Sequence, residues 1–387
     1  MRKKRNYIAI FGVLILAISA CVYPYNASIS ENLTSMLVVE GDIIVNGTTR
    51  INLSRTSPLD NAYSPVIQGA QVYVEDEQGG RYAVPEVFPG LYEAETSHLD
   101  WERSYRLHIT LSNKSQYASA YVPVCVSPLV DSVGYIVNPD STAIYVHLST
   151  HDVKGKTQYY KWSYVENWEI MPQWMSMLTF DTETLRYRYR YNEENIHFCW
   201  TSRSSSEILL GNTTRLSDDV IADQTLFYIS ELDPRAQVLY SVQFAQAALT
   251  REAYSYWENL RKNSEDVGGL FSPQPSELNG NLYALNNPDE VVLGYVSAYA
   301  QTLSERAFIP GGLMRRPPWR DCDCRSVYPP LDTNDKVTPF VYFRDGLIPV
   351  DYSPDMSQVV WHRKICCDCQ MHGGTKNKPA WWPNHHI

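Results

Sequence analysis

The residues with the most chemistry to offer lie near the end of this sequence. In "ICCDCQMHGGTKNKPAWWPNHHI", Cys366, Cys367 and Cys369 stand beside His372, and Trp381 and Trp382 follow. Upstream, Cys322 and Cys324 form a second pair, while Cys125 and Cys199 stand apart. Such a set can build a metal site, a redox dithiol or covalent staples. Zinc favours Cys-x-x-Cys pairs or His spacings that converge on one tetrahedron. Here the spacings are Cys322-x-Cys324 and Cys367-x-Cys369, and Cys366 and Cys367 are adjacent. Cys366 and Cys369 have Cys-x-x-Cys spacing, but they do not open a helical pattern as a redox motif does. Thiolate or disulfide then turns on the compartment in which the chain resides.

The other end of the chain speaks to that. "MRKKRNYIAIFGVLILAISAC" carries four cations, an apolar run from Ile8 to Ile18, and then small residues. This is the layout of a secretory signal, with an apolar run too short for a spanning helix. Ile18-Ser19-Ala20-Cys21 resembles a bacterial lipobox, which implies cleavage before Cys21 and lipidation of its sulfur. Two or three acyl chains on one cysteine anchor a protein stably where a single chain does not. Export makes disulfides the expectation for Cys199, Cys322, Cys324, Cys366, Cys367 and Cys369. Seven cysteines remain after Cys21, an odd number, so at least one stays free or pairs outside the chain. Cys125, among Val122, Val124 and Val126, reads as a buried free thiol. A staple from the 322/324 pair to the 366/367/369 cluster closes a loop of about 45 residues, with Cys199 as a further partner. No metal and no cofactor are expected.

Composition limits the function classes. The 387 residues carry a net charge of −10, and loss of the four signal cations leaves −14. Nucleic-acid affinity rests on Lys and Arg contacts to phosphate, so nucleic acid is not an expected partner. The 28 tyrosines and 10 tryptophans suit β-sheet cores and binding surfaces. Neither H-E-x-x-H nor G-x-S-x-G occurs, so no catalytic residue is assigned.

The positioning elements read mainly as strands. "YRLHITLS" sets Tyr105, Leu107, Ile109 and Leu111 on one face and Arg106, His108, Thr110 and Ser112 on the other. Asn46-Gly47 is a hairpin signal after "LVVEGDIIV", and Gly79-Gly80 separates two further strands. "STAIYVHLS", "QYYKWSYVENWEI" and "VLYSVQFAQ" alternate in the same way. "LRYRYRY" sets Leu185, Tyr187, Tyr189 and Tyr191 against Arg186, Arg188 and Arg190. Arg186, Tyr187, Arg188, Tyr189 and Arg190 form a candidate binding surface for sugars or anions; the alternative is a strand with tyrosines inward and arginines solvated. The Met- and Trp-rich span from Pro172 to Phe180 reads as a loop or a partner-facing hairpin. One helix stands out in "LTREAYSYWENLRKNSEDVGG", with Thr250 as N-cap and Leu249, Ala253, Tyr256, Trp257 and Leu260 on one face.

The expected architecture is mainly β. A signal peptide (1–20) and a lipidated tether (21–35) precede a first sandwich (36–125) and a second, immunoglobulin- or fibronectin-like one (126–248). Residues 249–387 supply a helix, strands and a disulfide-stapled, Cys-rich C-terminal cap. The order "V-x-G … GA-x-V-x-V … G-x-Y … Y-x-L-x-I" over residues 36–122 resembles the transthyretin-like sandwich of carboxypeptidase regulatory domains.

A broader likeness spans nearly the whole mature chain. The lipobox, "VVEGDI", "GAQVYVED", "GLYEAE", "YRLHI", "WSYVENWEI", "CWTSRSSSEILLGNTTRL", the block from "LTREAYSYWENL" to "SAYAQTLSERAFI" and "CCDCQMHGGTKNKPAWW" resemble outer-membrane-associated lipoproteins of Bacteroidota, the domain-of-unknown-function family 4249. The resemblance implies a lipid-anchored outer-membrane protein, on the cell surface or the periplasmic face. It implies a non-enzymatic accessory or binding component of a TonB-dependent receptor system for nutrient capture. The alternatives are a structural adapter of an outer-membrane complex and, behind it, a metal-dependent or carbohydrate-active enzyme. A capture protein predicts an aromatic-lined concavity between the sandwiches. An adapter predicts a flat aromatic interface.

Overall fold

A computed structural model of the chain describes residues 36–57, 64–181, 183–184, 186–265, 280–315, 326–328 and 338–384. Cys21, Leu185, Cys322 and Cys324 lie outside the described residues.

The first sandwich arises from alternating strands. Thr48–Arg55 buries Thr49, Ile51 and Leu53, and Ser104–Thr110 buries Tyr105, Leu107 and Ile109, as period-two patterning requires. One sheet runs Val292–Leu293, Leu37–Glu40, Thr48–Arg55, Leu91–Glu95, Glu86–Phe88. The facing sheet runs Ile43–Ile44, Ala298–Ala300, Val122–Val126, Ser104–Thr110, Gln71–Asp76, Arg81–Val84. Gln116–Ser119 also pairs with Ser104–Thr110, and Leu282–Ala284 pairs with Gln116–Ser119. His108, on the opposite face of Ser104–Thr110 from Leu107 and Ile109, is also buried, and burial lowers its pKa.

Asn46-Gly47 does not close a hairpin within one sheet. Leu37–Glu40 pairs with Thr48–Arg55, whereas Ile43–Ile44 between them belongs to the opposite sheet. Gly41 makes the switch at φ 137°, where a Cβ would lie 2.1 Å from the Arg50 carbonyl oxygen. Gly294 repeats this at φ 134°, against the Val39 carbonyl oxygen. Only glycine tolerates both the dihedral and the close approach. Residues 292–300 thus shadow residues 37–44 in parallel, Leu37 opposite Val292 and Ile43 opposite Ala298.

That pairing redistributes the region expected to be a separate C-terminal unit. Leu282, Val292, Val296, Ala298 and Ala300 belong to the first core. After Gln301 alone, Thr302–Leu303 pairs with Leu239–Ala248 of the second sandwich, and Ala307–Pro310 follows on the same strand. Parallel neighbours require long connections, and here the whole second sandwich is the connection.

The second sandwich faces Val130–Val137, Ala143–His151 and Val220–Ser230 against a sheet built on Tyr159–Ile170 and Leu239–Ala248. Ile144, Val146, Leu148, Tyr160, Trp162, Tyr164, Tyr240, Val242 and Phe244 fill the core, as their alternation predicts. Helix α1 (Arg251–Glu265) starts at Thr250, whose Oγ1 accepts from the Ala253 amide at 3.2 Å. Its Leu249 lead-in, Ala253 and Tyr254 pack on Leu210 and Tyr295, so α1 sits where the sandwiches meet. Glu258 and Lys262 pair at 3.1 Å, as their spacing predicts. At the joint, Lys161 Nζ lies 2.7 Å from Asp42 and 4.1 Å from the Trp257 ring centroid. Asp42 also accepts from the Ser297 amide and the Tyr299 hydroxyl.

The third unit is a cap. Residues 171–198, an insertion in the second sandwich, supply a hairpin of Leu178–Asp181 and Arg186–Tyr189. The C-terminal part supplies helix α2 (Thr338–Arg344) and a hairpin of Leu347–Tyr352 and Val359–Arg363. Leu178, Val359 and Trp361 bury together between them. The Met- and Trp-rich span is therefore wall rather than free loop. The Trp174 amide bonds the Cys366 carbonyl, the Met177 amide bonds that of Val350, and the Trp174 ring stacks on His362.

Candidate binding cleft

The first turns of α1 stand across from the first sandwich and leave a cleft of about 640 Å3 between them. Tyr121 and Pro123 form one wall, α1 the other, and Gly280, Asn281 and Tyr295 close one end. The Tyr295 ring packs on Tyr256 at 5.2 Å, and burial raises the pKa of both hydroxyls, so both remain neutral donors at ordinary pH. Tyr121 is 43% exposed, with the Arg106 guanidinium 4.7 Å from its ring centroid. Arg106 is fixed in turn by Glu75 at 2.8 Å. From α1, Arg251, Ser255 and Asn259 reach the cleft at i, i+4 and i+8, and none has a side-chain partner among the described residues.

Cys125 lies near this cleft and is a free thiol, as its apolar neighbours suggest. Burial first, and the Glu252 carboxylate second, push its pKa up to about 11. It is therefore protonated and a poor nucleophile at neutral pH. The cleft holds no activated nucleophile among its described residues.

A second cleft of about 630 Å3 opens on the second sandwich, and three of its charged residues, Asp233, Arg235 and Glu207, are already engaged. Arg235 bonds Asp233 and Glu166 at 2.6 Å each, and Glu207 accepts from the Tyr164 hydroxyl at 2.6 Å.

Besides Cys125, the cysteines among the described residues are three in disulfides and one buried thiol. Cys199 bonds Cys369 across 170 residues, with Cα atoms 5.5 Å apart. Cys199, read from the sequence as a further partner, thus ties the edge of the second sandwich to the tail. Cys366 is also disulfide-bonded. Cys367, expected among the disulfides, is instead a free thiol. Burial pushes it up to about 12, although Arg190 works in the opposite direction. His372, a candidate nitrogen ligand from sequence, has Nε2 2.7 Å from the Ile365 carbonyl oxygen. Trp382 is buried and meets Phe308 edge-on at 6.0 Å, while the Arg306 guanidinium lies 3.9 Å from the Trp381 ring. The tail thus packs down on the second sandwich. Cys199→Ser should cost about 2–5 kcal/mol. Hydrogen exchange should quicken across residues 347–384 and stay unchanged in the first sandwich.

The Arg/Tyr stripe is built into the cap. Arg188 makes two bonds of 2.6 Å to Glu194 and lies over Tyr191 at 4.9 Å. Arg190 turns inward, bonding Ser176 at 3.1 Å, and burial lowers its pKa. Tyr187 meets Trp361 edge-on and Tyr189 meets Tyr352, while Arg186 stays exposed. Tyr189 is itself 56% exposed, so the tyrosine side is not uniformly inward. The strand is only four residues long and twists away from strict alternation. Arg188 hydrogen bonds, then the Tyr191 amide, hold Glu194 down to about 2 from 4.5. A depressed carboxyl stabilises the fold above its ordinary value, and that contribution disappears as pH falls from 4.5 to about 2. Arg188→Gln should return the Glu194 midpoint towards 4.5, read by carboxyl NMR titration.

Sequence reasoning passed over Tyr121, Ser255 and Asn259. The last two lie on the polar side of an amphipathic helix, which ordinarily reads as solvated. Only the return of residues 280–300 to the first sandwich gives that side an opposite wall.

A two-domain fibronectin type-III segment from chicken tenascin is similar at 11% identity, covering 55% of this chain and 90% of that one, with a TM-score of 0.17. A comparison with curated proteins gives no match. The model of the family described as "Domain of unknown function (DUF4249)" matches residues 22–305, so this chain belongs to that family, as the sequence motifs anticipate.

Proposed function

We propose that the protein is anchored in the outer membrane through a lipid on Cys21 and serves, without catalysis, as the ligand-capturing companion of a TonB-dependent receptor. The observation that carries this reading is the tyrosine-lined cleft between α1 and the first sandwich. A capture protein requires such a concavity with unclaimed polar groups, and pockets of roughly 300–1,000 Å3 suit small ligands. The Lys161–Asp42 joint and the 280–310 crossover hold the two walls in register, so the site is pre-formed.

A structural adapter is the second reading, and one observation favours it. Ile136, Tyr145 and Tyr228 form a cross-strand row on the outer face of the three-stranded sheet. All three are exposed, and the two tyrosine rings are 6.0 Å apart. Flat aromatic rows of this kind suit protein interfaces.

Anchoring and outward display are tested together by palmitate labelling and by protease shaving of intact cells. Label that is lost in Cys21→Ser, with a wild-type protein cleaved while cells remain whole, is the expected result. An unlabelled protein, or one protected until the membrane is broken, contradicts the reading.

A further inference from the structure

We propose that the cleft between α1 and the first sandwich binds a neutral oligosaccharide; this deepens the capture reading and rests on it. The helix wall offers three polar side chains in a line, Arg251, Ser255 and Asn259, that have no side-chain partner among the described residues. Between them they supply donors and acceptors in alternation, since a hydroxyl and an amide each do both. The facing wall offers the Tyr121 ring, pinned by Arg106. A pyranose presents the same two textures, a rim of hydroxyls that donate and accept and a C–H face that packs on an aromatic ring.

Other ligand classes fit less well. An apolar ligand would strip water from the helix row and leave its groups unpaired. An anion would gain from Arg251 but meet Glu252 beside it on the same wall. An extended peptide needs an open backbone edge. Here the Ala120 amide already bonds the Asn281 carbonyl, Val122 pairs with Tyr105, and Pro123 has no N–H to give.

The test is titration calorimetry of the folded ectodomain with cellotriose, maltotriose, mannotriose and triacetylchitotriose at up to millimolar concentration. Trigalacturonate and trialanine are the comparators. At least one neutral trisaccharide should bind. Asn259→Ala and Tyr121→Ala should each weaken it by about three- to tenfold, and Ser255→Trp should abolish it by filling the cleft. Both truncations are at surface positions, so they carry the test if the tryptophan variant does not fold. Binding of none of the four, or binding that both truncations leave unchanged, overturns the proposal. Preference for trigalacturonate or trialanine also overturns it. Receptor co-purification is read separately. A receptor that co-purifies with a protein blind to these sugars removes the sugar assignment and leaves the accessory role. Sugar binding without a receptor does the reverse.

Discussion

Residues 36–125 expressed alone are expected not to fold, although the sequence reads them as a complete sandwich. In the intact chain, Leu282, Val292 and Val296 are buried in that core, with Ala284, Ala298 and Ala300. Burying one Leu or Val is worth about 1.5–3 kcal/mol, so the three large side chains alone contribute roughly 5–9 kcal/mol. A domain holds only about 5–15 kcal/mol in total. Without residues 282–300, Leu37–Glu40 and Val122–Val126 each also lose a paired neighbour, leaving open edges prone to aggregation. Urea titration followed by far-UV circular dichroism should show no cooperative transition for 36–125 and a sharp one for 36–384. A two-state transition in the short fragment would show that the returning strands decorate the sandwich rather than complete it.

Glu166→Leu is expected to destabilise the second sandwich by about 1–3 kcal/mol, because it leaves the buried Tyr240 hydroxyl unpaired and takes one of two carboxylates from Arg235. Glu166 is fully buried on the inner strand Tyr159–Ile170. It accepts from Arg203, Arg235 and the Tyr240 hydroxyl, each at 2.6 Å. Burial, then the Glu166 charge, drives the Tyr240 pKa far up, so this hydroxyl remains a donor throughout the accessible range. Burial pulls Arg235 down, but Asp233 and Glu166 more than offset it. Arg203 is largely exposed, and Arg203→Ala should cost no more than about 1 kcal/mol. Urea midpoints at unchanged m-value separate the two. A Glu166→Leu loss below that of Arg203→Ala would mean that Asp233 alone satisfies Arg235.

Which features are legible in the sequence follows from their range. Alternation over Tyr105–Ile109, Ile144–Leu148 and Tyr160–Tyr164 marks buried faces correctly because side-chain direction is a local property. The Thr250 cap and the Glu258–Lys262 pair are local for the same reason. Partner strands are not. Nothing near Val292 or Ala298 says that they lie beside Leu37 and Ile43, more than 250 residues away. Gly41 and Gly294 were the available signal, each interrupting an apolar run where the chain must change sheets. The cleft inherits this blindness, since its walls come from residues 120–123, 250–259 and 280–295. Cys199–Cys369 is missed similarly, because equal chemistry among six cysteines leaves connectivity to the fold. Glu166 falls in phase with Tyr160, Trp162 and Tyr164 on the buried face, and only the facing Arg235 and Tyr240 explain a carboxylate there.

The central claim, a capture protein working with a receptor, is tested most directly by co-purification. The protein, tagged at its C-terminus, is extracted from the membranes of its native cells in mild detergent and its partners are identified by mass spectrometry. The account predicts a TonB-dependent receptor at near-stoichiometric yield, retained by Ser255→Trp, which blocks only the cleft. Recovery of the lipidated protein without any such receptor would contradict it.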